Sequence, residues 1–302
     1  MLHIQNRTGR TGRPLVFGEV LFDNFAEGAV LGGAPFNVAW HLQGFGLNPL
    51  FISRVGQDGP AKEVALEMRR WGMDTRGLQR DGTYPTGEVH VTLEGDEPHF
   101  EILPQQAYDY IDPHEALQAA AGEKVSLVYQ GTLAARSPVS RRALAGLIRE
   151  VKAPVFIDVN LRPPWWDKKQ TETFIRKARW AKMNEKELEE LTGCSSEIQG
   201  AEKMMRGNPL DMLIVTLGDR GALLLAGGEP HSSPAAPVGK VVDTVGAGDA
   251  FSALCILGLV EGWEPSLILQ RSLEFASRIV GQRGALPRDP GLYQSFRRRW
   301  EM

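Results

Sequence analysis

The chain has 302 residues, of which 42% are hydrophobic and 24% are charged, and its formal net charge is −3. This length and composition are typical of a globular enzyme with a large core, built as one big domain or as one domain with an appendage. The small net charge gives no support to binding of nucleic acid or of an anionic membrane.

Two cysteines, Cys194 and Cys255, lie far apart in the sequence. They exclude a disulfide framework and favour a reducing compartment, which we expect to be the cytoplasm. Residues 1–13 are polar and basic and are predicted to form a loose extension. Glu19 interrupts the apolar run that follows, so no signal-peptide core is predicted.

The first predicted strand covers residues 15–23 and ends at Asp23, with Gly18 and Glu19 interrupting its pattern. Ligands of α/β sheets bind beyond the carboxyl ends of the strands, so Asp23 is placed to touch a ligand. An Asp that simply ends a strand explains the same segment equally well.

A glycine loop, residues 31–33, opens the first predicted helix. Pro35 suits a first helical turn, and the amide of Asn37 near the helix start suits a polyol ligand. His41 is interpreted as a structural residue of the helix face. A second strand is predicted from residue 51, and residues 61–71 have the spacing of a helix that packs on the core.

Residues 88–93 and 99–103 alternate between polar and apolar side chains on either side of a turn. This pattern predicts a hairpin with one polar face, unlike the buried strands of a parallel sheet. A hairpin inserted early in an α/β chain indicates a separate small sheet, which would suit a lid over the site.

From residue 126 the pattern becomes one of strand and helix units, with a strand at 126–131, a helix at 141–151 and a strand from 155. Asp158, Asn160 and Arg162 lie near the end of the strand that begins at residue 155. Arg is suited to clamp a phosphate or a carboxylate. An ion pair of Arg162 with Asp158 or Asp167 is the alternative.

Residues 180–191 are predicted as a short strand that leads into a helix, with Asn184 and Glu187 on one helix face. Oxygen ligands at this spacing suit Mg²⁺ held mostly through water, and a solvated acidic helix start is the alternative. Further on, Thr216, Gly218 and Gly221 would let the backbone approach a nucleotide, although a plain hairpin explains the same residues.

Residues 241–252 contain a predicted strand end at Val241 and Val242, a glycine turn, and the start of an apolar helix at 250–260. Asp249 lies at the N-terminus of that helix, where free N–H groups favour an anion. Three interpretations stay open: a turn and cap, a dinucleotide fingerprint that Phe251 disfavours, and phosphoryl transfer with Asp249 as the proton acceptor. The last predicted helix covers 267–280, and residues 296–300 are predicted to form a solvated basic face.

Together these segments resemble the ribokinase-like (PfkB) family of carbohydrate kinases, over about residues 14–287. Four runs carry the resemblance: 32–39, 184–187, 216–221 and 243–251. The run at 160–163 resembles the fructokinase-like branch in particular.

The resemblance implies a ribokinase-like three-layer α/β/α sandwich, with a mostly parallel central sheet and a small β-sheet lid that often mediates dimers. The kinase domain would cover residues 14–302, with lid strands inserted at about 20–32 and 86–104. The implied reaction is ATP-dependent phosphorylation of a sugar hydroxyl with Mg²⁺.

The resemblance also implies roles for individual residues. Asp249 matches the general base, and the backbone N–H groups of Gly246, Ala247 and Gly248 match an anion hole. The remaining matches are the sugar positions Asp23, Gly33 and Asn37, the phosphate or acid position Arg162, the Mg²⁺ and phosphate motif Asn184 and Glu187, the nucleotide turn Thr216, Gly218 and Gly221, and the monovalent cation (K⁺) positions Asp243, Val245 and Gly284.

One departure concerns the acceptor. Many fructokinase-like proteins have an Arg in the lid that reaches the sugar, but residues 100–109 contain no Arg or Lys. This weakens the case for fructose and for an acid such as 2-keto-3-deoxygluconate, for which Arg162 remains the candidate cation. Fructose or a related sugar stays the expected acceptor, with 2-keto-3-deoxygluconate, a nucleoside, or a non-catalytic sugar sensor as alternatives.

Overall fold

The computed structural model describes residues 11–26, 28–94, 97–237, 239 and 241–302. Residues 1–10, and with them most of the predicted extension, lie outside the described residues. The first strand begins at Arg13, within the segment predicted to be loose. In the described part of the chain, no helix is both long and apolar enough to cross a membrane.

Among the described residues the chain forms thirteen strands and ten α-helices. The strands are Arg13–Phe17 (β1), Leu21–Phe25 (β2), Gly28–Gly32 (β3), Leu50–Val55 (β4), Leu78–Arg80 (β5), Gly87–Glu94 (β6), Glu97–Ile102 (β7), Val125–Gln130 (β8), Val155–Asp158 (β9), Trp180–Asn184 (β10), Met212–Thr216 (β11), Ala222–Ala226 (β12) and Glu229–Ser233 (β13). The helices are Ala34–Gly44 (α1), Gly59–Arg70 (α2), Pro113–Ala120 (α3), Pro138–Val151 (α4), Lys168–Lys177 (α5), Glu185–Thr192 (α6), Glu197–Gly207 (α7), Ala247–Glu261 (α8), Pro265–Val280 (α9) and Pro290–Arg299 (α10).

Nine strands form the main sheet, in the order β13-β12-β11-β10-β9-β8-β1-β4-β5. Pairing is parallel from β11 through to β5 and antiparallel only at the β11–β12 and β12–β13 edges. The parallel strands alternate with helices along the chain, as the predicted strand and helix units require. Their carboxyl ends therefore meet along one edge of the sheet.

Helices cover both faces of the main sheet. Along β1, Leu15 and Phe17 contribute to the core shared with α3 to α7, whereas Val16 contributes to the core shared with α1, α2, α8 and α9. This alternation follows from the twofold period of a strand. The predicted three-layer α/β/α sandwich is confirmed, and α8 lies in it as a helix with apolar side chains on nearly all sides.

A separate small sheet contains four strands in the order β3-β2-β6-β7. The predicted hairpin is β6 and β7, paired antiparallel from Val89 with Ile102 to Glu94 with Glu97. The prediction of one strand over residues 15–23 was wrong, because the chain leaves the main sheet after Phe17 and enters the small sheet at Leu21. Gly18 makes that bend possible, since a Cβ there would lie 2.3 Å from Pro35 Cγ.

The structure confirms only part of the two predictions for the C-terminus, a last helix at 267–280 and a solvated basic face at 296–300. α10 follows the helix that was predicted to be the last, and Phe296 and Trp300 are buried against α8 and α9. Arg298 and Arg299 do face solvent, as the basic pattern indicated. His41 is structural, as predicted: it is fully buried, and its Nδ1 lies 3.0 Å from the hydroxyl of Tyr293.

Candidate active site

Asp249 lies in the first turn of α8, at the edge of the sheet where the parallel strands end. Gly246 is the N-cap residue and adopts a left-handed conformation with φ 80°. The Ala247 N–H group donates to the Thr244 carbonyl, whereas the N–H groups of Gly246, Gly248 and Asp249 have no acceptor among the described residues. Two of the three predicted anion-hole donors are therefore free, and Asp249 adds another.

A second helix start faces Asp249. Gly33 is the N-cap of α1, and one turn later the Asn37 side-chain Nδ2 donates to Asp249 Oδ2 at 2.7 Å. Gly33 lets the start of α1 approach the backbone of Glu19, since a Cβ there would lie 2.8 Å from the Glu19 carbonyl oxygen. The structure thus brings together two side chains that are 212 positions apart in sequence.

Asp23 also reaches this cluster, but not from the end of a strand of the main sheet. It lies in the middle of β2 and pairs with Val30 in the small sheet. Its Oδ2 would be 3.4 Å from a Cβ built on Gly32, and Asn37 Oδ1 would be 4.0 Å from the same atom. Asp23, Asn37 and Asp249 therefore form one polar cluster between the small sheet and the main domain.

Two polar atoms in or beside this cluster are buried without a partner in the described structure: Oε2 of Glu19 and Oδ1 of Asn37. Buried polar atoms are nearly always hydrogen-bonded, and an unsatisfied one costs about 1–3 kcal/mol. A ligand with hydroxyl groups would supply the missing donors.

The carboxylates in and beside this cluster have raised pKa values. Burial raises the pKa of Asp249 to about 6, and the hydrogen bond from Asn37 opposes that rise. Burial likewise raises the pKa of Asp23 to about 6 and that of Glu19 to about 7, and the Arg162 guanidinium opposes both shifts. A carboxylate with a pKa near neutrality is suited to accept a proton at physiological pH.

Arg162 faces this cluster as an exposed side chain without a hydrogen bond or ion pair to any described residue. The alternative of an ion pair with Asp158 or Asp167 was wrong. Asp158 pairs with Lys182, and Asp167 accepts a hydrogen bond from the Gln170 N–H at the start of α5. The guanidinium is therefore available to an anionic or hydroxylated ligand.

Asn184 and Glu187 form a capping box at the start of α6. Asn184 Oδ1 accepts from the Glu187 N–H at 2.9 Å, and Glu187 Oε2 accepts from the Asn184 N–H at 2.8 Å. Glu187 Oε1 accepts from the Leu161 N–H at 2.7 Å, so this buried carboxylate also holds the backbone next to Arg162. Direct metal ligation by these two side chains is thereby disfavoured, and no described group of three His, Cys, Asp or Glu residues could hold a metal ion.

A cleft of about 540 Å³ lies next to α8, between the β11–β12 turn and α9. Thr216, Gly218 and Gly221 line it, and so does Gly248 from the first turn of α8. The hairpin alternative is also correct, because β11 and β12 pair antiparallel around the short 3-10 helix at Gly218–Arg220. A cleft of this volume is suited to a ligand of nucleotide size.

Asp243 ties two loops together beside the cleft. Its carboxylate accepts hydrogen bonds from the N–H groups of Val245, at 2.9 Å, and of Gly284, at 3.0 Å. The predicted strand at Val241 and Val242 is wrong, since these residues lie outside any described strand and their side chains are exposed. The N–H groups of Val242 and Asp243 bond instead to the Val280 carbonyl at the end of α9.

Sequence reasoning missed Arg136, which lies beneath the small sheet. It donates twice to the Asp109 carboxylate at 2.8 Å and once to the Leu103 carbonyl, and its guanidinium lies 4.4 Å from the Trp165 ring centre. A cation therefore does reach the segment that lacks Arg and Lys, but from the main domain. Its only signal in sequence was a lone Arg after an apolar strand.

Sequence reasoning also missed Lys182, in the middle of the buried strand β10. Its Nζ lies 3.1 and 3.0 Å from the two oxygens of Asp158, its register partner on β9. A charged residue inside an apolar strand was a signal that the pattern offered, because Lys is almost never buried unless paired.

Comparison with known proteins gives one consistent result. A family model described as "pfkB family carbohydrate kinase" matches residues 11–290. Fructokinase-1 of Oryza sativa is 28% identical over 300 residues, which cover 92% of each chain.

Two solved structures have the same fold. A sugar kinase from Pyrococcus horikoshii in complex with ATP superposes with a TM-score of 0.75 at 26% identity, covering 90% of this chain and 94% of the other. A double mutant of fructokinase from Vibrio cholerae, with fructose, ADP and potassium ion bound, has a TM-score of 0.81 at 24% identity, covering 95% of this chain and 99% of the other. Because the family model spans nearly the whole sequence, the chain belongs to the pfkB family of carbohydrate kinases.

Proposed function

We propose that this carbohydrate kinase transfers the γ-phosphoryl group of ATP to a hydroxyl group of fructose or a closely related sugar. The observation that carries the proposal is the position of Asp249. Its carboxylate lies in the first turn of α8 and accepts a hydrogen bond from Asn37, and the neighbouring Gly248 lines the nucleotide-sized cleft. The ATP complex of the Pyrococcus relative and the name of the rice relative support the two substrates.

Asp249 is the general base in this proposal. The acceptor hydroxyl oxygen forms a bond to the γ-phosphorus, the bond from that phosphorus to the bridging oxygen of ADP breaks, and the hydroxyl proton passes to the Asp249 carboxylate. The N–H groups of Gly246 and Gly248, with Ala247 between them, face the charge on the transferring group. Asn37 holds the carboxylate in place at 2.7 Å.

The sugar binds against the polar cluster of Asp23, Asn37 and Asp249, between the small sheet and the main domain. Asp23 and Asn37 bind its hydroxyl groups, and Gly33 brings the backbone of α1 close to it. Arg162 contacts the sugar or the transferred phosphate, because its side chain is exposed and has no ion pair among the described residues. Because Arg136 is already bonded to Asp109, Arg162 is the cation that this site offers to an acidic acceptor, as the sequence predicted.

The nucleotide lies in the 540 Å³ cleft, against Thr216, Gly218 and Gly221. Mg²⁺ fits this site only through water, because both Glu187 oxygens already accept backbone N–H groups and keep just their remaining lone pairs. Asn184, in the same capping box, lines the cleft. When bound, Mg²⁺ neutralises charge on the phosphates.

A monovalent cation, K⁺, belongs beside the Asp243 loop. The two hydrogen bonds of Asp243 bring the segments of Val245 and Gly284 together. The ligands we propose for the cation are the backbone carbonyl oxygens of Asp243, Val245 and Gly284. This site would stabilise the turn that precedes α8.

The small sheet is also the proposed dimer contact. Val30 on β3 is 41% exposed and Phe100 on β7 is 45% exposed, which supports contact with a second copy. The unpaired thiols of Cys194 and Cys255 support a cytoplasmic location.

The decisive experiment compares wild type with Asp249→Asn for ATP consumption over a panel of fructose, other neutral sugars, 2-keto-3-deoxygluconate and nucleosides. Asn keeps an acceptor for Asn37 but cannot take a proton, so kcat should fall by ~10²–10⁴ with sugar binding retained. Equal turnover by the variant would show that Asp249 is not the base. Tight sugar binding by wild type without any ATP turnover would favour a non-catalytic sensor.

A further inference from the structure

The buried pair of Lys182 and Asp158 has no role in the proposed mechanism so far. Their side chains are only 9% and 2% exposed, and Nζ lies within 3.1 Å of both carboxylate oxygens. Burying two charges costs so much desolvation that apolar residues of similar volume often give equal or greater stability. Stability alone is therefore a weak reason for an ion pair at this position.

The pair lies directly behind the first turn of α8. Ser252 of α8 donates to Asp158 Oδ2 at 2.7 Å. Gly248 is four residues earlier on the same helix face, and a Cβ built on it would lie 3.4 Å from Lys182 Nζ. Gly248 is also exposed in the nucleotide cleft, where its N–H has no acceptor among the described residues.

The orientation of the pair matters. The ammonium is the end next to Gly248, and Asp158 is fixed by Ser252 from α8 and by its register on β9. Of the three hydrogens on Nζ, the two Asp158 oxygens can accept two, and no described group accepts the third. A fixed, buried positive charge thus lies directly behind a free backbone donor, where its burial limits screening by solvent.

Building on the proposed function, we propose that Lys182 is a positioning residue for phosphoryl transfer. Its ammonium, held by Asp158 behind Gly248, strengthens the anion hole at the start of α8 and so stabilises the phosphoryl group in transit. Lys182 gives up no proton and forms no bond in this step. It acts through the Gly248 backbone, as a preorganised charge that needs no rearrangement during the reaction.

The alternative is that the pair only fastens α8 to the sheet. The charge-free double variant Lys182→Met/Asp158→Asn separates the two roles, because it leaves no unpaired buried charge and Ser252 keeps an acceptor. The matched control is Leu147→Ala, a fully buried position on α4 at the opposite face of the sheet. The readouts are kcat, KM for the sugar, melting temperature, and the dissociation constants of ADP and of ADP with aluminium fluoride, which imitates the phosphoryl group in transit.

For the double variant we expect kcat to fall by about 10- to 100-fold, less than the ~10²–10³ lost with a direct oxyanion donor. Affinity for ADP with aluminium fluoride should fall by the same factor, while KM and ADP affinity stay within about twofold of wild type. Leu147→Ala should lose melting temperature but keep kcat. The proposal fails if the double variant keeps its aluminium fluoride affinity, if ADP affinity falls equally, or if Leu147→Ala loses as much kcat.

Lys182→Arg is the second variant, in case the double variant does not fold. Lys182→Arg keeps the positive charge. The ratio of its affinity for ADP with aluminium fluoride to its affinity for ADP alone should therefore stay within about threefold of wild type. A ratio reduced by tenfold or more in a folded Lys182→Arg would overturn the proposal. These binding measurements need no acceptor sugar, so a wrong sugar assignment would not be mistaken for a failure of Lys182.

Discussion

Gly246→Ala should destabilise the turn that leads into α8. Gly246 has φ 80°, and a Cβ there would lie 2.2 Å from Ala285 Cβ and 2.8 Å from Ala285 Cα. The left-handed conformation costs a non-glycine residue about 1–2 kcal/mol, and overpacking against backbone adds about 1–3 kcal/mol. We therefore expect a total loss of about 2–5 kcal/mol in the free energy of unfolding.

Gly284→Ala is the matched control. Gly284 has a similar φ of 77°, but a Cβ there would have no heavy atom within 4 Å. It should therefore lose only the conformational cost, about 1–2 kcal/mol. Chemical denaturation of both variants would measure the difference. If Gly246→Ala were no less stable than Gly284→Ala, the close contact with Ala285 would not limit this turn.

Activity, measured as kcat/KM against pH, should fall as the pH drops through about 6, because burial raises the pKa of Asp249 to about 6 and only its ionised form accepts a proton. The fall should persist in Glu19→Gln, and a profile that stays flat well below pH 6 would contradict the assignment. Arg136→Met should lower the free energy of unfolding by about 3–5 kcal/mol, because it leaves the buried Asp109 carboxylate without its ion-pair partner. The double variant Arg136→Met/Asp109→Asn should recover most of that loss in chemical denaturation. Equal losses in the single and the double variant would contradict this explanation.

The sequence by itself determined the features that depend on neighbouring residues. The period of apolar side chains indicated strands alternating with helices, and hence the layered α/β fold, because the two periodicities are local properties of the backbone. Two glycines before an apolar run placed Asp249 at a helix start, because glycine readily adopts the left-handed conformation that Gly246 has at the N-cap of α8. The hairpin of the small sheet was likewise visible from its alternation.

Only the tertiary structure decided which distant residues meet. Asp23 lies in the small sheet because the chain leaves the main sheet after Phe17. The apolar pattern of residues 15–23 does not indicate this change of sheet. Asn37 reaches Asp249, and Lys182 reaches Asp158, through the order and register of strands that are far apart in sequence. Contacts of this kind depend on the whole packed sheet, whereas a pattern in the sequence reports only on the few residues along one element.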